Sequence, residues 1–164
     1  MKTLLKVLGA TLIFLALLLM VLSITGFEPR QRTPGLWLKG NIVTTPVADW
    51  SFTDKYPTVK VQTRTWYLLP HSVTTYCVAY NGQLYLTSVY PPGVEYPHGR
   101  GWNENVARDP HVRIKIGDQL YDRTLSYVTG PAEKAGVFQA KRKKYPQQII
   151  APNSTVQMFH VVGD

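Results

Sequence analysis

The residues able to carry chemistry are few and scattered. They are four histidines (His71, His98, His111, His160), the single cysteine Cys77, and the cationic run Lys141-Arg142-Lys143-Lys144. No two histidines stand four apart on one predicted helix, so no metal pair of the helical kind is present. One cysteine forms neither an intramolecular disulfide nor a cysteine-based zinc site, and in a β-rich stretch it reads as a small buried apolar side chain. His71-Ser72 has the residue types of a base and a nucleophile, but neighbours in an extended segment point to opposite faces, which prevents the one from activating the other. The chain has no G-x-x-x-x-G-K-[ST] phosphate loop and no G-x-S-x-G elbow. Gly99 and Gly101 lack the third glycine of a dinucleotide turn, since Glu104 stands in its place. The run Lys141 to Lys144 follows a helical stretch that opens at Pro131 with Glu133 in its first turn, so it reads as a cationic last turn complementing the helix dipole. A lipid-surface contact is the alternative reading. Aromatic interleaving and nucleic-acid motifs are missing, so no nucleic acid is expected as a partner.

These residues have to be positioned by elements whose period is mostly two. Thr58 to Trp66 alternates two unlike faces and predicts a strand. Val73 to Tyr80 and Gln83 to Tyr90 are β-branched and aromatic, and Asn81-Gly82 between them suits the positive φ angles of a two-residue hairpin turn. His111 to Ile116 and Gln119 to Val128 repeat that logic around Gly117-Asp118. Between the hairpins, Pro91 to Gly101 is rich in proline and glycine and reads as an irregular loop, followed by a short helix over Trp102 to Arg108 that stops before Pro110. Pro131 to Tyr145 is the longest predicted helix outside the N-terminal segment, and Thr155 to Val162 predicts a final strand. Several strands with two short helices inserted predict a mainly β (α+β) domain, a small antiparallel β-barrel.

The N-terminal segment differs from everything after it. Lys2 and Lys6 precede an apolar run from Val7 to Ile24 broken only by Gly9, Thr11 and Ser23. About 18 to 20 apolar residues match a helix that crosses a bilayer, whereas the apolar core of a cleaved signal peptide is nearer 7 to 15. The segment 1–26 is therefore expected to be an uncleaved transmembrane signal anchor, with a cleaved signal as the alternative. Residues 27–35, with Pro29, Pro34 and Gly35, read as a linker, and 36–164 as one domain. Basic residues flank the apolar run on both sides, so the positive-inside rule is nearly balanced; the short N-terminal tail favours a single-pass anchor with the globular domain outside the cytoplasm, in a periplasmic setting. The formal charge of +8 falls to +6 without Lys2 and Lys6, an excess suited to anionic partners such as lipid headgroups or a phosphorylated cofactor.

The hairpin Ser72-Val73-Thr74-Thr75-Tyr76-Cys77-Val78-Ala79-Tyr80-Asn81-Gly82-Gln83-Leu84-Tyr85-Leu86, with the later Gly101-Trp102-Asn103-Glu104-Asn105-Val106-Ala107-Arg108-Asp109-Pro110-His111-Val112-Arg113-Ile114, resembles the split β-barrel flavin and deazaflavin-binding superfamily. Pyridoxamine-phosphate oxidase-like proteins and deazaflavin-dependent nitroreductases belong to it. The resemblance spans about Thr58 to Tyr145. It implies a homodimer of six-stranded barrels with FMN or a deazaflavin in a groove at the subunit interface. It also implies phosphate and ribityl contacts from Arg64, His71, Ser72, Thr74 and Thr75, and ring contacts from Ser88, Trp102, Asn103 and Asn105. The plainer reading of the same residues makes Thr74 and Thr75 strand formers, Trp66 and Trp102 core aromatics and Arg64 a solvated charge. Relatives of the deazaflavin type carry a Gly- and Lys-rich segment before the paired threonines, where this chain has Trp66-Tyr67-Leu68-Leu69-Pro70-His71. The expected function is a membrane-anchored, cofactor-binding split barrel of the oxidoreductase kind. The alternatives are a cofactor-free accessory subunit of a larger membrane complex, for which ten tyrosines would suit a partner surface, and a haem or other small-ligand binder.

Overall fold

The structure, a computed structural model, describes residues 2–163. The N-terminal helix α1 (Lys2–Thr25) buries none of its side chains and is long and apolar enough to cross a membrane. It ends where Gly26, at φ 85°, takes the left-handed conformation that closes many helices, its N–H donating back to the Leu22 carbonyl at 2.8 Å.

The rest is built from β1 (Asn41–Ile42), β2 (Val59–Thr63), β3 (His71–Tyr80), β4 (Gln83–Tyr90), α2 (Gly101–Arg108), β5 (His111–Ile116), β6 (Gln119–Tyr127), α3 (Pro131–Lys144) and β7 (Thr155–Val162), with a short 3-10 turn at Ser51–Lys55. Strands β6, β5, β2, β3, β4 and β7 pair antiparallel in that order, and β7 returns to β6 to close a six-stranded barrel. Strand β6 is shared. Its first residues pair in parallel with β1 (Asn41↔Gln119, Ile42↔Leu120), and only its second half, from Thr124, meets β7.

Alternation of side chains along the strands divides the interior. Val59, Val61, Cys77, Leu84, Leu86, Ile114, Leu125, Phe159 and Val161 fill the barrel, with Trp102 and Val106 of α2 joining them. The intervening Val78, Tyr85 and Met158 face the other way and pack with Val137 of α3 in a second cluster. Both hairpin turns have the chemistry their sequences predict: Asn81 and Gly82 at φ 51° and 76°, and Gly117 at 60°. Strand β2 is shorter than its alternation predicts. It stops at Thr63 because Thr65 Oγ1 turns back to donate to the Leu69 carbonyl and Leu68 adopts φ 69°, which leaves Trp66 77% exposed rather than in the core.

The segment after α1 is fastened to the barrel along its length. Phe27 N–H donates to Trp37 O at 3.0 Å, and Gly35 and Ser72 exchange backbone hydrogen bonds at 2.8 and 2.9 Å. Glu28 accepts from Lys60 Nζ at 2.5 Å, Lys115 Nζ at 2.6 Å and the Lys39 amide at 3.1 Å. Burial alone would raise that carboxyl, but the hydrogen bonds from Lys115, Lys60 and Lys39 and the Lys60 charge outweigh it and hold it at about 2. The expected linker is therefore a strapped extension of the domain.

Candidate functional site

The turn at Asn81-Gly82 sets the register of β3 against β4 and so decides which residues share a floor. Tyr76 lies opposite Thr87, next to the pair Val78 and Tyr85, and on the same outward face. Helix α3 covers Val78 and Tyr85 with Val137 and reaches Tyr76 and Thr87 through Lys141, and those two residues also line a groove. The other wall is the start of α2 with Arg100 and Trp102, and the strapped segment contributes Gln31 and Arg32. One cavity here encloses about 490 Å³ and is lined by Gln31, Arg32, Thr58, Thr74, Thr75, Tyr76, Thr87, Ser88, Val89, Arg100, Trp102 and Gln148. A neighbouring one of about 480 Å³ shares Gln31, Arg32, Thr74, Arg100 and Trp102 with it, so the two form one continuous groove.

The lining has a defined chemical character. Thr74, Thr75, Thr87 and Ser88 supply hydroxyls, Arg32 and Arg100 supply guanidinium groups, and no carboxylate among the described residues lines this groove. Arg100 is steered by its own Nη2, which donates to the Val89 carbonyl at 2.8 Å. Thr75 Oγ1 donates to the Thr87 carbonyl at 3.0 Å, tying the two strands under the groove. Trp102 is only 7% exposed and packs against Phe159 with 5.2 Å between ring centroids, so the aromatic wall is fixed from behind. Such an arrangement suits an anionic ligand with a planar part: hydroxyl and guanidinium donors for charged oxygens, an indole for the ring.

Below the floor lies a second layer. Lys141 of α3, 1% exposed, donates from Nζ to Thr87 Oγ1 at 2.9 Å, and Lys144 Nζ donates to the Thr53 carbonyl at 2.9 Å and lies 3.5 Å from Cys77 Sγ. Burial pushes the Cys77 thiol up, against the pull of the Lys144 charge. Tyr145 donates to the Cys77 carbonyl at 2.6 Å, and burial likewise pushes its hydroxyl up. Two of the four terminal cations of α3 thus turn into the protein, where the run as a whole reads as a solvated dipole complement.

Of the nine residues implied by resemblance, the groove gathers Thr74, Thr75, Ser88 and Trp102. Arg64 lies elsewhere, paired with Asp109 at 3.3 Å and lining a separate cavity with His111, Arg113, Asp122 and Arg123. His71 pairs with Thr63 across β2 and accepts from its Oγ1 at the backbone carbonyl, and burial pushes the imidazole down. Ser72 is sealed beneath Gly35, its hydroxyl without a partner among the described residues. Asn105 donates to Thr63 Oγ1 at 2.9 Å and accepts from Arg108 at 3.2 Å, which fastens α2 to β2. Asn103 is wholly buried, and neither atom of its amide has a partner among the described residues. Arg32, Arg100 and Thr87 of the lining, and Lys141 behind Thr87, are not among those nine. The hairpin register was the available signal for Thr87, while four adjacent cations offered none for Lys141.

No family model and no curated protein matches the chain. Solved structures do. A conserved hypothetical protein from Mycobacterium tuberculosis is 15% identical, with 82% of this chain and 85% of that chain covered and a TM-score of 0.54. A putative 5-nitroimidazole antibiotic resistance protein from Bacteroides thetaiotaomicron is 16% identical over 80% of this chain and 88% of that one, at 0.51. HutZ, the haem storage protein from Vibrio cholerae, is 13% identical over 69% and 85%, at 0.50. At these identities the likeness is one of fold: the three share the closed-barrel architecture described above.

Proposed function

We propose that this protein binds a flavin or deazaflavin cofactor in the groove over β3 and β4, and that it works as an oxidoreductase held at a membrane by α1 with its barrel outside the cytoplasm. The observation that carries the reading is the lining itself, in which hydroxyls and two arginines, with no carboxylate among the described residues, stand beside a fixed indole. The cavity volume of about 490 Å³ lies within the range of ordinary ligand sites, roughly 300 to 1,000 Å³. The residues present therefore fit the group. Thr74, Thr75 and Ser88 would hold its polar chain, Arg32 and Arg100 its charge, and Trp102 would orient the ring. A bound flavin supplies hydride or electron transfer; the protein's part is position, exclusion of water and local charge. The family resemblance adds a homodimer in which a second copy walls the groove.

The test is the visible absorption spectrum of the detergent-extracted protein as isolated, followed by titration with FMN and with a deazaflavin. Bound flavin-type absorbance, or saturable uptake weakened in Trp102→Ala, is the expected result. No absorbance and no uptake of either would overturn the reading, and a Soret band would assign haem in its place. An intact N-terminus by mass spectrometry separates the anchor from a cleaved signal.

A further inference from the structure

The groove rests on a buried cation. Lys141 is 1% exposed, and no Asp or Glu among the described residues pairs with it. Its surroundings are assembled from every element packed around it. Strand β3 gives the Tyr76 ring, 4.6 Å from Nζ, and Cys77. Strand β4 gives Thr87, and the end of α3 gives Lys144 and the Tyr145 ring at 5.0 Å. Asp54, the nearby carboxylate, is spent on Lys144 at 3.8 Å. Burial first, and then the Lys144 charge, hold the ammonium down to about 8, with Cys77 acting the other way. The two aromatic faces offset part of the desolvation and leave the positive charge without a counter-ion among the described residues.

The direction of one hydrogen bond gives that charge an outlet. Because Lys141 donates to Thr87 Oγ1, the hydroxyl can use its own proton only as a donor to something else, and Thr87 lines the groove. We infer that Thr87 and Lys141 form an anion-reading floor, at which a ligand phosphate accepts the Thr87 hydroxyl proton while Lys141, a positioning residue behind it, supplies the buried countercharge. This rests on the cofactor reading above in locating the cofactor's phosphate against the Tyr76–Thr87 pair. A phosphate at this floor makes charging of Lys141 easier, so affinity for a phosphate falls as pH rises through the range in which the lysine loses its proton.

The experiment compares FMN with riboflavin, which lacks the phosphate, by fluorescence titration of the full chain in detergent at pH 7 and pH 9. Inorganic pyrophosphate serves as a third probe, read by thermal shift. Wild type is expected to prefer FMN. Lys141→Met and Thr87→Val should each weaken FMN binding about 10- to 100-fold, the scale of a hydrogen bond to a charged group, and leave riboflavin unchanged. The preference should fall at pH 9 in wild type and be flat in Lys141→Met. Equal losses for FMN and riboflavin, or a variant that keeps the full preference, would overturn the inference and leave the cofactor reading standing. Should wild type bind neither flavin but show a pyrophosphate shift that depends on Lys141, the floor stands and the cofactor reading falls. Wild type indifferent to all three probes refutes both. If Lys141→Met fails to fold by circular dichroism, Thr87→Val, which keeps the buried shape, carries the comparison.

Discussion

Replacing Glu28 by Gln removes the one carboxylate that straps the post-helix segment to the barrel, and its cost is set by how far that carboxyl is displaced. The group stands at about 2 against an ordinary 4.5, a difference worth about 3 kcal/mol to the ionised form. The side chain is still 23% exposed, so screening by solvent reduces the net figure to about 2 kcal/mol. For a domain of this size that is a fall of about 4 to 8 °C in Tm. The sign with pH follows from the direction of displacement. A carboxyl depressed in the folded state stabilises fully above its unfolded value of 4.5 and loses that contribution as pH falls toward 2. The assay is thermal unfolding of wild type and Glu28→Gln in detergent from pH 7 down to pH 2.5, taking the difference in Tm so that carboxylates common to both proteins cancel. The gap should be widest at pH 7, begin to close below about pH 5 and shrink to about a quarter of its neutral-pH value at the acid end. A gap that is the same at both ends, or absent at pH 7, would refute the argument. Trypsin should also cut the variant faster at Arg30, Arg32 and Lys39, because the pairs that pin this segment to Lys60 and Lys115 are gone.

Two further outcomes follow from burial. Cys77 has no exposed surface and a thiol raised by desolvation, so a thiol reagent should label it only through opening of the barrel, orders of magnitude slower in native buffer than in denaturant; rapid native labelling would contradict the packing. Asn105→Ala removes the amide that fastens α2 to Thr63 and should cost about 1 to 3 kcal/mol in chemical denaturation while leaving flavin affinity as it was. Lost affinity in a folded, equally stable variant would place Asn105 in the groove instead.

Local patterns were legible because their causes are local. The Asn81-Gly82 turn, the stop of α2 before Pro110, the opening of α3 at Pro131 and the strand Thr155–Val162 each depend on residues within a few positions, and each element lies where its sequence predicts. The alternation of Arg64-Thr65-Trp66 predicts a longer β2 than forms, because Thr65 spends its hydroxyl on Leu69 and bends the chain away. Resemblance to the superfamily led to the barrel, and of the residues it implies Thr74, Thr75, Ser88 and Trp102 line the groove. It also pointed to Arg64 and Ser72, whose types suit phosphate but which the barrel turns elsewhere or covers.

By itself the sequence determined an apolar N-terminal helix, a β-rich domain, the hairpin registers, and the absence of an intramolecular disulfide and of the nucleophile and nucleotide motifs, all of which follow from composition and short spacing. Only the tertiary structure decided which cations face inward. Lys141, Arg142, Lys143 and Lys144 are equivalent in a sequence, but the angle at which α3 lies on β3 and β4 buries Lys141 against Thr87 and leaves Arg142 and Lys143 in solvent. The same holds for the groove. Its walls come from the strapped segment, two strands, the start of α2 and the chain after α3, parts distant in sequence that meet only in the folded domain.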